Sequence, residues 1–333
     1  MSIQVNRDSK LIKVLAAQAR HERIDSAAVE EAAQIINELA QDLSPHNRYQ
    51  IAQTVAYTVD ELQQHELDFL NRVADVKNVG YGDKAVFNVK TGNIKAYIQA
   101  KGSTTARSHI GGKQIMVETQ EISARPAINI IDLRSGRVNM ADLIREANHE
   151  ITNKKLAAVE KVLHAAIDDY ASPFYGTGSG IVAATLDAQL AYFNRLGPVT
   201  ILGDLAAVGQ LSELSGMAMS STQNQFSDAM INERNENGYI GRYKGCEVLA
   251  MNNAYEGGSI TPVLATDWLY IVPGNASADS RNLKLVNEGS VSTIDSQNID
   301  DKTFEVCLDQ WLTLMLQRIT KPLRTVMCVT NIV

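Results

Sequence analysis

Three histidine–glutamate pairs, His21-Glu22, His65-Glu66 and His149-Glu150, are the first places where metal-dependent hydrolysis could start. A zinc protease needs a second histidine one helical turn on, so that both rings face one metal while the glutamate acts as base. Asp25, Phe69 and Asn153 stand at those positions, and none of the pairs can chelate zinc in that manner. Gly176, Gly178 and Gly180 (GTGSG) imitate a phosphate cradle. No Lys-Ser or Lys-Thr follows, and the strand-then-helix context that would aim backbone N–H groups at a phosphate is missing. Glu233, Asn235, Asn237 and Gly238 resemble the start of a calcium loop, but Lys244 occupies the place of the bidentate glutamate. No G-x-S-x-G elbow is present.

The six histidines otherwise lack ligand spacing, and surface histidines that are solvated or satisfied are expected. Cys246, Cys307 and Cys328 are odd in number and widely spaced, which points to three free buried thiols. The motif search therefore yields no catalytic, metal-binding or cofactor-binding residues, and only in combination with the order of elements below is a protein that is not an enzyme expected. At 333 residues the chain has room for two or three compact units, at roughly 100 to 200 residues each. A formal charge of −7 opposes wholesale binding to nucleic acid through phosphate neutralisation. The N-terminus carries no basic-then-apolar signal, and no apolar run reaches membrane-spanning length, so a chain made and kept in cytosol is expected.

The elements themselves are legible by period. In residues 1–75, Val29, Ala32, Ile36, Leu39 and Leu43 step by three and four along one helix face. Ser44-Pro45 stops that helix and starts a second, striped by Ile51, Val55, Val59, Leu62, Phe69 and Val73. This region is either a helical satellite packed on the main body or an arm that docks on other subunits, because amphipathicity does not say whose surface is covered. Residues 80–121 read as a long hairpin. Ile94, Ala96, Ile98 and Ala100 alternate with Lys95, Tyr97, Gln99 and Lys101, and a returning strand begins at Gly112. An isolated two-stranded hairpin is marginally stable in water, so this one is expected to lie on a neighbouring subunit.

Beyond the hairpin, Arg125-Pro126 interrupts regular structure, and Ile128, Ile130 and Leu133 make a short connecting strand. Asn139 caps a helix over residues 140–170, a rod of roughly 45 Å at about 1.5 Å per residue. Its apolar side carries Leu143, Ile144, Ala147, Ile151, Ala158, Val162, Ala166 and Tyr170. Short helices and strands then alternate to about residue 290, including a helix over 186–196, a strand over 199–202 and, over 215–238, a polar exposed loop with room for one turn of helix. Residues 283–333 return to strands, with an apolar run around Trp311.

That order of elements resembles the major capsid protein of tailed bacteriophages. The resemblance rests on the extended loop at 80–121, the spine helix at 140–170, Val199-Thr200-Ile201-Leu202-Gly203-Asp204 with its helix, Gly241-Arg242-Tyr243-Lys244-Gly245 before a strand, and residues 267–272. It implies an α+β chain of the Hong Kong 97-type capsid fold. The implied parts are an N-terminal helical arm (1–75), an extended loop (76–125), a peripheral domain with the spine helix (126–172 and 283–333) and an axial domain (173–282). It further implies pentamers and hexamers closing an icosahedral shell around double-stranded DNA, without sequence-specific contacts to it and without a membrane.

By the same resemblance the chain's partners are itself and portal, scaffold or decoration proteins, and its place is the virion capsid, assembled in the host cytoplasm. Ile94, Ala96, Tyr97, Ile98, Lys101 and Arg107 would lie on the adjacent subunit. Asn224 and Gln225 would point toward the capsomer axis, and Asn298 and Lys302 would approach local threefold contacts. Some members join the loop to a neighbour by a Lys-Asn isopeptide bond. Lys84, Lys90, Lys95, Lys101 and Lys113 are available, but no motif selects one, and exposed strand lysines more often blunt an edge. A shell without covalent crosslinks is expected. The same fold in a cellular nanocompartment, and an α/β enzyme or ligand-binding protein with an unread site, are the alternatives.

Overall fold

In the computed structural model of the chain, the N-terminal helical period is realised in three helices, α1 (Lys10–Ala19), α2 (Ser26–Gln41) and α3 (Pro45–Glu66). The structure describes residues 9–66, 70–71, 74–91, 96, 98, 101, 104, 107–109, 111–135, 137–167, 175–177, 180–195, 197–214, 228–251, 253–256, 259–274, 281, 283–298, 300–316 and 327–330. Asp25 caps α2, its Oδ1 accepting from Ala27 N at 3.3 Å. Leu11, Ile12 and Leu15 of α1, Ile36 and Leu39 of α2, and Ile51, Val55 and Val59 of α3 bury together against Ile144, Ile151, Phe304 and Val306. The apolar stripes thus cover the chain's own body. Of the two readings that periodicity left open, the packed satellite is the one observed.

The strands follow as β1 (Ala74–Val79), β2 (Ala85–Thr91), β3 (Gly111–Val117), β4 (Gln120–Ala124) and β5 (Ala127–Asn129). Asn129 then caps a short helix α4 (Ile130–Arg134) by accepting from Ile131 N at 2.9 Å. The connecting strand expected through Leu133 therefore ends at Asn129, because that cap turns the backbone into a helix. The spine helix α5 (Met140–Ile167) begins where its cap was expected, with Ala141 N donating to Asn139 Oδ1 at 3.1 Å. Its 28 residues make a rod of about 42 Å.

Along that rod the buried face changes partner. Ile144, Ala147 and Ile151 meet the N-terminal helices. Leu156, Val159 and Leu163 meet Leu202, Tyr270, Val272, Leu285 and Leu312. The second half of the stripe differs by one position from the expected Ala158 and Val162, which sit half-buried at its margin. Between the halves, Asn148, Thr152, Asn153 and Lys155 are buried although polar.

The remaining elements are β6 (Tyr175–Thr177), α6 (Ala183–Asn194), β7 (Val199–Asp204), α7 (Leu205–Gly209), α8 (Asp228–Asn237), β8 (Arg242–Tyr243), β9 (Cys246–Met251), β10 (Leu269–Pro273), β11 (Leu283–Asn298), β12 (Thr303–Leu316) and β13 (Met327–Thr330). One sheet has the order β1-β11-β12-β4, with β5 also on β12; the other has the order β6-β13-β10-β7-β9-β8. The closing strand β13 pairs with β10 and β6, so it leaves the strands β11 and β12 with which the sequence grouped it. The pairings are antiparallel and parallel in turn, and helices cover the sheets, as in an α+β chain.

Candidate inter-subunit interface

The hairpin is formed by β2 and β3, paired antiparallel from Ala85↔Val117 to Thr91↔Gly111. Of the strand expected over 94–101, Ile94, Lys95, Tyr97, Gln99 and Ala100 lie outside the described residues. Ala96 and Ile98 carry no strand assignment, Lys101 lies in a turn, and all three are exposed beyond the paired segment. Period-two alternation gives a strand its faces, but a strand also needs a partner for its N–H and C=O groups. Here the paired residues are the seven before the Gly92-Asn93 turn signal.

The hairpin also does not hang free at its root. Alternation puts Asp75, Lys77 and Val79 of β1, and Lys284, Val286 and Glu288 of β11, on the sheet face away from α3. Ala85 and Phe87 bury against Val286 on that face, with Val79 and Val117 at the margin. Lys77 Nζ donates to Val86 O at 2.7 Å and sits 4.5 Å from the Phe87 ring centroid. Lys284 Nζ, 2.7 Å from Asp75 Oδ2, lies 5.4 Å from the same centroid.

Glu288 ties both strands down where they leave the body. One carboxylate oxygen accepts from Gly82 N at 2.8 Å, and the other accepts from the Thr119 hydroxyl. The Thr119 bond first, and the Gly82 bond second, hold the Glu288 carboxyl below its ordinary value of 4.5. A depressed folded-state pKa means the contribution is complete at neutral pH and is lost as pH falls from about 4.5 through the lower folded value. Protection of the Gly82 amide against hydrogen exchange is therefore expected to fall on acidification over that window. In Glu288→Gln the protection should not vary with pH; a persisting dependence would place its origin elsewhere.

Beside this clamp, the Tyr81 ring meets Trp311 edge-on at 5.2 Å between centroids, and its hydroxyl donates to Ser290 O. The ring lies over Gly289, whose φ is +68°, and a Cβ there would come within 2.3 Å of it. Gly289→Ala should expel the Tyr81 ring and strain the backbone. At about 1–2 kcal/mol for the left-handed conformation and roughly 1 kcal/mol for each lost contact, the expected cost is about 2–4 kcal/mol. Urea unfolding measures it, and Tyr81→Ala in the same chain should cost much less than additively.

The sequence-named contact residues separate into groups. Ala96, Ile98, Lys101 and Arg107 are exposed on the hairpin's outer part, and Ile98 is fully exposed at 107%. Ile94 and Tyr97 lie outside the described residues, as do Asn224 and Gln225. Asn298 and Lys302 bracket the β11–β12 turn, where Asn298 Oδ1 accepts from Asp300 N at 3.0 Å and Lys302 O accepts from Ile130 N at 3.1 Å. From the Glu288 clamp to that turn runs about 30 Å of strand, so one subunit does not bring the two groups together.

The candidate chemical motifs also resolve. Asp228–Asn237 is helical, and Gly238, at φ +80°, follows as its left-handed stop, which leaves no calcium loop. His21 is exposed and bonds Arg145. His164 departs from the expected surface position: it is half-buried, stacks on Trp268 at 3.8 Å and bonds the Tyr270 hydroxyl at 2.6 Å, joining the spine to β10. Cys246 is a buried free thiol, but Cys307 is only half-buried. Burial first, and then the Asp309 carboxylate that accepts from it at 3.2 Å, push the Cys307 thiol pKa up. The Cys328 side chain and those of His65 and Glu66 lie outside the described residues. Among the described residues, no group of three or more His, Cys, Asp or Glu could hold a metal ion, and no helix is long and apolar enough to cross a membrane.

A protein-family model described as "SPbeta prophage-derived putative capsid protein YonB" matches residues 2–317. The chain belongs to this phage capsid family. Its subunit is similar in fold to a chain of the bacteriophage PhiM1 mature capsid, with a TM-score of 0.51 at 12% identity over 79% of this chain and 86% of that one. A chain from the capsid of a native GTA particle aligns with a TM-score of 0.51 at 13% identity, covering 82% and 90% respectively. No curated protein matches significantly. The fold is the Hong Kong 97-type capsid fold, and the chain is a capsid shell protein with a structural role.

Proposed function

We propose that copies of this chain gather as pentamers and hexamers and close an icosahedral shell around double-stranded DNA. The single observation that carries this is the family match over almost the whole chain, to a capsid family of prophage origin. That origin favours a virus over a cellular nanocompartment. A hairpin clamped at its root and exposed beyond its paired segment fits a contact that reaches outward. In the assembled shell Ile94, Ala96, Tyr97, Ile98, Lys101 and Arg107 lie on the adjacent subunit, Asn224 and Gln225 face the capsomer axis, and Asn298 and Lys302 approach local threefold contacts.

The parts are a helical region over 1–75, an extended loop over 76–125, a peripheral domain over 126–172 and 283–316, and an axial domain over 173–282 whose sheet the closing strand β13 joins. A formal charge of −7 suits a wall that encloses DNA without gripping it, since like charge releases no counterions. Portal, scaffold or decoration proteins complete the particle, which assembles in the host cytoplasm. Negative-stain microscopy of the purified chain, raised in concentration and supplied with a co-expressed scaffold where needed, should show uniform closed particles. Small discrete oligomers under all of those conditions would overturn the proposal.

A further inference from the structure

Residues 94–101 have the sequence of a strand, and a strand needs an edge to pair with. Ile94, Ala96, Ile98 and Ala100 alternate with Lys95, Tyr97, Gln99 and Lys101, so one face is apolar and the other carries the charge of both lysines. Among the described residues of the segment, Ala96 and Ile98 join no ladder, Lys101 lies in a turn, and all three are exposed.

The edge that matches this pattern is on β4. Gln120–Ala124 ends its sheet, pairing with β12 on one side only. Ile122 and Ala124 point to the helix side, half-buried at the margin of the core, while Glu121 and Ser123 are exposed on the other face. Asp309 stands behind Ser123 as its cross-strand partner, and Arg125 at the end of that face is taken by Glu305. An added strand 94–101 continues both faces together. Its apolar side extends Ile122 and Ala124, and its lysines meet an acidic border at Glu121 and Asp309.

Other edges fit worse. β5, β6 and β8 hold three residues or fewer. β1 and β3 carry Lys77 and Lys113, which would oppose Lys95 and Lys101, and on β2 Val86 O already accepts from Lys77. The occupant of β4 comes from outside the subunit. β4 starts beside the root end of the β2–β3 ladder, whereas residues 94–101 follow its far end, about 20 Å along the strands.

We propose that residues 94–101 of one copy add as a strand to the free edge of β4 in its neighbour, with a lysine of their polar face opposite Glu121. This rests on the shell reading above and names the surface that receives the hairpin.

Hydrogen exchange read by mass spectrometry compares assembled shells with separated subunits of the unsubstituted protein. Amides within 94–101, and those of Gln120–Ala124 that face away from β12, should slow about tenfold or more in shells. In a second measurement, p-benzoylphenylalanine is placed at exposed Ser123 (Ser123→p-benzoylphenylalanine) and both samples are irradiated. Shells, and not subunits, should give a product of two chains whose attached peptide lies within 94–101. Glu121→Lys should cut that product about fivefold, and adding Lys95→Glu with Lys101→Glu should restore it. Where the Ser123 variant does not assemble, the exchange result decides alone. Shells in which both stretches exchange as they do in subunits, or in which the Ser123 link maps to another segment or is indifferent to Glu121→Lys, overturn the edge pairing and leave the shell reading standing. Absence of shells in the unsubstituted protein overturns both.

Discussion

Removing residues 94–110 is expected to leave a subunit that folds with nearly ordinary stability and no longer forms shells. The register of the hairpin makes this a clean cut. Thr91 and Gly111 are direct partners at the end of the β2–β3 ladder, so the deletion leaves Gly92-Asn93 as a two-residue connection between them. Glycine at the first central position suits a tight hairpin turn whose twist matches the flanking strands. The folded core loses little, because the described residues of the deleted part, including Ala96, Ile98, Lys101 and Arg107, are largely exposed. The root keeps its contacts through Phe87, Glu288 and Tyr81. Unfolding in urea should therefore show a midpoint and slope close to those of the full chain. Microscopy should show no closed particles. Loss of folding would mean that the outer hairpin supports the subunit's own core, and normal shells would remove the hairpin from assembly.

Asp75→Ala is expected to have the largest effect on folding itself. Asp75 and Lys284 are cross-strand partners in β1 and β11, and the Lys284 side chain is 2% exposed. Taking away one member of a buried pair deprives the other charge of its cross-strand carboxylate in a medium that solvates it poorly. The cost of that is about 3–5 kcal/mol. The Phe87 face near Lys284 offsets only part of the loss, since Lys77 faces the same ring. Replacing both members with Asp75→Leu and Lys284→Met should be close to neutral, because the desolvation of both charges is relieved together. Equilibrium urea unfolding of the three proteins checks this. A single substitution as mild as the double one would show that water reaches Lys284. The hairpin should suffer with it, since Lys284, Val286 and Glu288 form one row beneath Phe87 and the Gly82–Thr119 clamp.

Of the candidate interface, the sequence shows that a hairpin exists and which residues begin and end its neighbourhood. It does not show the anchorage. Tyr81 and Glu288 stand about two hundred positions apart in the chain, and no local pattern links an aromatic residue in a turn to a carboxylate in a distant strand. One signal was available: Glu288-Gly289 interrupts a strand pattern, and a glycine inside a strand marks a bulge or a close backbone approach. The register shift between Glu288 and Ser292, with Tyr81 over Gly289, is that feature.

The chain's periods by themselves determined helices α2 and α3, strand β7, the Asn139 cap, the approximate length of the spine and the order of parts by which the capsid fold is recognised. These depend on neighbours one to four residues away, so the local sequence contains the whole cause. Only the tertiary structure decided whose surface the N-terminal helices cover, which seven residues of the first hairpin strand are paired, and where the closing strand goes. An apolar stripe specifies that it will be buried but not against what, and a strand's alternation is satisfied by any edge that matches it. Such choices are settled by the cluster that holds both Ile12 and Phe304, and by pairings such as Ala85 with Val117 and Met327 with Ile271, all between residues the sequence keeps far apart.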